Sequence, residues 1–143
     1  MTKQLTAVIV DDEPLALEGL SLRLAKIPEI TVIGEAENGD EAIKLCQTLE
    51  PDVLFLDLQL PGLNGIEVVQ AMQADTLPMI VFVSAYREYA IEAFELNAID
   101  YVLKPANLGR LQKTVERITT VVTTFVTPGI IFWMLKEAWE SII

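Results

Sequence analysis

The stretch Pro51-Asp52-Val53-Leu54-Phe55-Leu56-Asp57 decides the fold, because an unbroken apolar run ends there in a single carboxylate. A strand that is covered on both faces needs no polar alternation, whereas a one-sided antiparallel strand would show it. Working outward, similar runs stand at Leu5 to Val10, which leads into Asp11 and Asp12, and at Met79 to Val83, which leads into Ser84. Thr31 to Gly34 and Tyr101 to Leu103 complete five predicted strands, of which the first, third and fourth are apolar enough to be central.

The segments between them carry helix signals. Pro14 suits a first helical position, and Leu15, Leu17, Leu20, Leu22, Leu24 and Ile27 offer a packing face up to Pro28. Asn38 can cap a second helix that turns Ala42, Ile43, Leu45, Cys46 and Leu49 inward before Pro51. Asn64 can cap a third, with Ile66, Val68, Val69 and Met72. A fourth is expected from Glu88 to Leu96, and a fifth after Asn107. Strands alternating with helices predict an α/β fold: a doubly wound five-stranded parallel sheet with helices on both faces.

Composition narrows the function. The chain has 143 residues, enough for one ordinary domain, and 52% of them are hydrophobic. A net charge of −11 disfavours direct nucleic-acid binding, which needs a basic face. With 0 histidines, His-dependent catalysis and nearly all zinc sites drop out. The single cysteine, Cys46, reads as a small buried apolar residue in a reducing compartment. The opening MTKQLTAVIVDDEP lacks a signal peptide's apolar run, so a cytoplasmic location is expected.

Open parallel sheets place their sites beyond the carboxyl ends of the strands. Those ends here carry Asp11, Asp12, Asp57, Ser84 and Lys104, the last followed by Pro105. Three carboxylates at one edge repel, and a hard divalent cation relieves them; Mg²⁺, which takes oxygen ligands, is the economical choice. A lysine beside such a cation makes sense if a further anion arrives, and phosphoryl fits. Each aspartate alone also reads as a loop residue or a helix-start acid, but the joint placement of five groups favours a site.

These residues resemble the response-regulator receiver domains of two-component signalling. AVIVDDEP, PDVLFLDLQLPGLNGIE, VFVSAY and AIDYVLKPA stand in that family's order and spacing over roughly Leu5 to Arg117. The resemblance implies a flavodoxin-like sheet of order 2-1-3-4-5. It implies that Asp57 is the phosphoacceptor, that Asp12 binds Mg²⁺ directly, that Asp11 does so mainly through water, and that Gln59 lends its backbone carbonyl. It gives Ser84 and Lys104 roles at the phosphoryl group, makes the Lys104-Pro105 peptide cis, and places Tyr101 at the switch aromatic position. Read by itself, Tyr101 is a half-buried aromatic on the fifth strand. The implied partner is a sensor histidine kinase or phosphotransfer protein, and the only chemistry is self-phosphorylation and autodephosphorylation. SAYREYAIEAFELNAIDYVLKP is further similar to receivers attached to LytTR-type DNA-binding domains, although the 26 residues after Arg117 are too few to form one.

Two other readings are weaker. An Asp-nucleophile phosphohydrolase usually has a second acid two residues after the nucleophile, where this chain has Gln59. A nucleotide binder would want a glycine-rich or hydroxyl-rich loop after the first strand, where Asp11-Asp12-Glu13-Pro14 would repel phosphate. A fragment of a longer DNA-binding regulator is the other alternative.

The chain divides into a receiver over residues 1–118 and a hydrophobic extension over residues 119–143. Ile118 to Leu135 holds 18 residues without a charge. Five threonines and the Pro128-Gly129 pair disfavour membrane insertion of this run. Leu108, Leu111, Val115, Ile118, Val122 and Phe125 instead predict that the fifth helix runs on to about Val126. After Pro128, the stripe Ile131, Met134, Leu135, Ala138, Trp139 and Ile142 predicts a C-terminal amphipathic helix, with homodimerisation as its first role.

Overall fold

The computed structural model describes residues 4–72 and 77–123, together with residue 140. Its elements alternate as β1 (Leu5–Val10), α1 (Pro14–Leu24), β2 (Ile30–Ala36), α2 (Gly39–Leu49), β3 (Val53–Asp57), α3 (Gly65–Ala71), β4 (Met79–Ser84), α4 (Ala90–Glu95), β5 (Asp100–Leu103) and α5 (Leu108–Thr123). All neighbouring strands pair in parallel, in the order β2-β1-β3-β4-β5, as expected. The apolar character of each strand matches its rank in the sheet. All of β3 is buried, whereas β2, at an edge, alternates between buried and more open positions.

Helices cover both faces. Leu17, Leu20 and Leu24 of α1 pack with Leu111, Val115 and Ile118 of α5 against Ile9, Phe55 and Val81. On the other face, Ala42 and Cys46 of α2 and Val68 and Val69 of α3 pack with Val8, Leu54, Leu56 and Phe82. Each large side chain so buried contributes about 1.5–3 kcal/mol relative to exposure. Burial also pushes the Cys46 thiol up to about 11, which leaves it an inert core group.

Local chemistry sets the helix ends. Asn38 accepts from the Glu41 N–H at 2.9 Å, and Asn64 and Glu67 form a reciprocal capping box. Asn107 accepts from the Arg110 N–H at 2.9 Å and so caps α5. Asn97, at φ 63°, turns the chain into the left-handed region soon after α4.

Two expectations need correction. Leu15 and Leu22 of α1 are 82% and 61% exposed, because α1 spends only one narrow stripe on the sheet and these two leucines fall outside it. Leu49, at the end of α2, is likewise exposed. The fourth helix is also shorter than its pattern suggested: Glu88 and Tyr89 lie in a turn that leads into it. The fifth helix runs without interruption through residue 118 to Thr123. The predicted break at Pro128 and the amphipathic helix after it lie outside the described residues. No helix among the described residues is long and apolar enough to cross a membrane.

Candidate functional site

Register brings the polar strand ends together. Val10 pairs with Leu56, Asp57 with Val83, and Ser84 with Leu103, so Asp11, Asp57, Ser84 and Lys104 fall on one edge of the sheet. Carboxylate oxygens of Asp11, Asp12 and Asp57 lie within 4.8 Å of one another. Asp11 and Asp57 are buried, and Asp12 is exposed at the rim. Such a set of hard oxygen donors could hold a hard divalent cation.

Lys104 is the counter-charge. Its Nζ donates to Asp57 Oδ2 and to Asp11 Oδ2, each at 2.9 Å. The other oxygens of these carboxylates are held by the backbone. The Gln59 N–H donates to Asp57 Oδ1 at 3.0 Å, and the Glu13 N–H donates to Asp11 Oδ1 at 3.0 Å. Burial raises the Asp57 carboxyl above its usual range; Lys104 and the Gln59 N–H oppose this, and the charge of Asp11 adds to it. Burial alone would lower the Lys104 ammonium, but its bonds to Asp11 and Asp57 outweigh that and raise it. Lys104 therefore stays charged between the two carboxylates. The peptide that follows it, Lys104-Pro105, is cis.

Ser84 is buried, and its Oγ accepts from the Tyr86 N–H at 3.0 Å. Tyr101 is fully buried rather than half-buried, and its hydroxyl donates to the Tyr86 carbonyl. Its ring lies 6.5 Å from that of Phe82. Burial raises the Tyr101 hydroxyl, and the neighbouring Ser84 hydroxyl opposes that rise. The loop after β4 is thus held on both sides of Tyr86, by Ser84 through the N–H and by Tyr101 through the carbonyl.

Gly65 fixes the far wall of the site. A Cβ on this residue would stand 2.6 Å from the Asp57 carbonyl oxygen and 3.0 Å from Leu58 Cα, so only glycine lets α3 begin this close to the end of β3. A cavity of about 410 Å³ opens beside Asp11 and Lys104, next to Arg23 of α1.

The family profile of the response-regulator receiver domain matches residues 7–116. The chain belongs to the response-regulator receiver family. It is 50% identical over 115 residues to an uncharacterized response regulatory protein of Vibrio vulnificus, a match that covers 80% of this chain and 48% of that one. It is 48% identical over 111 residues to the transcriptional regulatory protein BtsR of Escherichia coli, covering 78% and 46%. The chain therefore spans about half the length of these relatives. Among solved structures, the response regulatory domain of mrkE from Klebsiella pneumoniae superposes with a TM-score of 0.74 at 36% identity, covering 81% of this chain and 96% of that one. The receiver domain of AraT from Geobacillus stearothermophilus gives 0.74 at 30% identity, covering 85% and 96%. The receiver is a phosphoaccepting module of two-component systems, and its acidic cluster can hold a divalent metal.

One network was not legible as a site in the sequence. Asp100 is fully buried, and it is held by Arg110 through two bonds of 2.9 Å, by the Thr114 hydroxyl at 2.7 Å, and by an ion pair with Arg117 at 2.7 Å. Burial would raise the Asp100 carboxyl, but Arg110, Arg117 and Thr114 together hold it below the usual range. The only signal was the spacing of Arg110, Thr114 and Arg117, which share one face of a helix.

Proposed function

We propose that this receiver takes a phosphoryl group from a partner's phosphohistidine onto Asp57 and uses it to change the β4–α4 loop and β5. The observation that carries this reading is the position of the Asp57 carboxylate, buried at a strand end, with Lys104 on one oxygen and the Gln59 N–H on the other. An Asp57 oxygen attacks phosphorus, the P–N bond to the imidazole breaks, and the histidine leaves with its electron pair. Lys104 supports charge that develops on the transferring oxygens. Asp11, Asp12 and Asp57, with the Gln59 backbone carbonyl, would hold Mg²⁺, which would neutralise the phosphoryl oxygens.

Acceptor oxygens at Asp57 would draw the Ser84 hydroxyl away from the Tyr86 N–H. The inward Tyr101 ring is the arrangement that such a movement favours, so phosphorylation would shift a population between ring positions. The output would pass through the face made by α4, β5 and α5. The likeness of the Ser84–Pro105 sequence to LytTR-type receivers supports the finer reading of a receiver that works with such an output, and the transcriptional-regulator name of a relative supports a transcriptional output in general. The cytoplasm is the fitting compartment, and the apolar extension would serve self-association.

Beryllofluoride, a phosphoryl mimic, tests the switch when added with Mg²⁺ while amide NMR shifts are followed. Shifts at Ser84, Tyr86, Tyr101 and Lys104 are expected. Changes confined to Asp11, Asp12 and Asp57 would reduce the site to ion binding.

A further inference from the structure

Positive charge is concentrated at one place on this acidic chain. A cavity of about 540 Å³ at the β5 edge is lined by Arg87, Tyr101, Arg110, Lys113 and Arg117 among others, so it gathers four of the ten basic residues. The carboxylate in contact with them is Asp100, which is fully buried and already engaged by Arg110 and Arg117. Arg87 and Lys113 are exposed and meet no carboxylate among the described residues. Four cations against the buried Asp100, with Glu88 near enough to act on Tyr101, leave the cavity net positive, whereas the chain as a whole carries −11.

Two of those cations are fixed in place. Arg110 is tied to Asp100, to the Thr114 hydroxyl and to the Tyr101 carbonyl, and Arg117 stands against Asp100. About a quarter of each side chain stays exposed, 27% for Arg110 and 25% for Arg117. A guanidinium held rigid at a cavity wall loses little freedom when it meets a carboxylate, which lowers the cost of binding.

We infer that this cavity docks a carboxylate-rich segment of a protein partner. The inference rests on the signalling reading of the α4–β5–α5 face and adds the chemistry of what that face meets. A short acidic segment fits four clustered cations, whereas an extended nucleic acid would also meet the carboxylates of the remaining surface, 21 acidic residues against 10 basic in the chain. The cavity also has a path to the phosphoacceptor end. Tyr101 lines it, and the Tyr101 hydroxyl holds the carbonyl of Tyr86, the residue before Arg87. A change at Ser84 that releases the Tyr86 N–H would thus move Arg87 on the cavity rim.

The test uses the full chain and a fluorescein-labelled Glu-rich dodecapeptide, with its Gln counterpart and an oligothymidylate of equal charge as comparators, all followed by anisotropy. The Glu peptide is expected to bind and to weaken with salt, while the comparators do not bind. Arg87→Ala combined with Lys113→Ala should weaken binding by at least about fivefold, because two exposed charge pairs are lost. Neither side chain makes an ion pair or side-chain hydrogen bond among the described residues, so the variant should melt as the parent does. Lys26→Ala combined with Lys44→Ala, an equal charge change at two exposed positions outside the cavity lining, should stay within about twofold of the parent. Equal affinity of the double variant and the parent overturns the inference, as does preference for the oligonucleotide. Self-association that the double variant abolishes, without peptide binding, would make the occupant a second copy and also overturn it. Charge-dependent peptide binding that beryllofluoride leaves unchanged would uphold the docking site and contradict the signalling reading of this face.

Discussion

The Lys104 ammonium lies 2.9 Å from Asp57 Oδ2, and that single contact ties the end of β5 to the end of β3 across the intervening strand β4. The same nitrogen is 2.9 Å from Asp11, so removing it leaves two buried carboxylates facing each other. Lys104→Ala should destabilise the metal-free protein by about 1–3 kcal/mol, a cost that Mg²⁺ reduces. Urea unfolding with and without Mg²⁺ measures both effects. The variant should still bind the ion by calorimetry but respond weakly to beryllofluoride; an unimpaired response would make Lys104 a mere surface charge.

Mg²⁺ itself should stabilise the fold. Because burial raises the Asp57 carboxyl, its ionised form costs stability above that raised value, and a cation beside it relieves the cost. At a hundredfold excess over its dissociation constant the ion should add about 2.7 kcal/mol, visible as a higher Tm. Asp12→Asn removes the exposed ligand and should lose most of that gain. A gain of the same size in the variant would move the ion to another place.

Acid unfolding should report on Asp100. Its carboxyl is held below the usual range, so it stabilises the fold fully above its unfolded value, and this contribution disappears as pH falls through the lower folded value. Asp100→Asn should cost about 2–4 kcal/mol at neutral pH, because Arg110 and Arg117 keep their charges with no carboxylate between them. It should also lose less stability than the parent on further acidification below about pH 4. Parallel pH-stability curves for the two proteins would count against this assignment.

Two glycines near Asp57 should behave differently. Gly65→Ala places a Cβ 2.6 Å from the Asp57 carbonyl oxygen, where the neighbour is backbone and cannot swing away. It should cost about 1–3 kcal/mol and slow phosphorylation by displacing the acceptor. Gly62→Ala meets no atom within 4 Å, but its φ of +75° penalises a side chain by about 1–2 kcal/mol. Only the first should alter labelling kinetics once both are compared at a temperature where they are folded.

Tyr101→Phe keeps the buried ring and removes the hydroxyl that donates to the Tyr86 carbonyl. A loss of about 1 kcal/mol is expected, together with faster amide exchange in the loop that follows β4. Unchanged exchange there would show that the loop is held by other contacts.

Much of this was legible in the sequence, and particular residues show why. The run Val53 to Leu56 marked a doubly covered strand, and the polar residues after each such run had to meet once the strands paired in parallel. Asn38 and Asn64 announced their helices through side-chain chemistry that acts within a few residues. Leu15 and Leu22 misled, because apolar character alone does not say how wide a stripe the sheet can cover. The Asp100 network was hidden for a different reason. Its partners lie ten to seventeen positions apart on two elements, and an acid in a strand and arginines on a helix are common separately. The second bond at Tyr86 was also invisible, since its acceptor is a backbone carbonyl that no side-chain pattern reveals.

The most direct test of the account is the intact mass of the protein after incubation with acetyl phosphate, with and without Mg²⁺, for the parent and for Asp57→Asn. The account predicts the addition of one phosphoryl group to the parent, dependent on Mg²⁺ and reversed by hydroxylamine, which cleaves acyl phosphates, and no addition to Asp57→Asn. Undiminished labelling of Asp57→Asn would place the acceptor elsewhere and contradict the central claim.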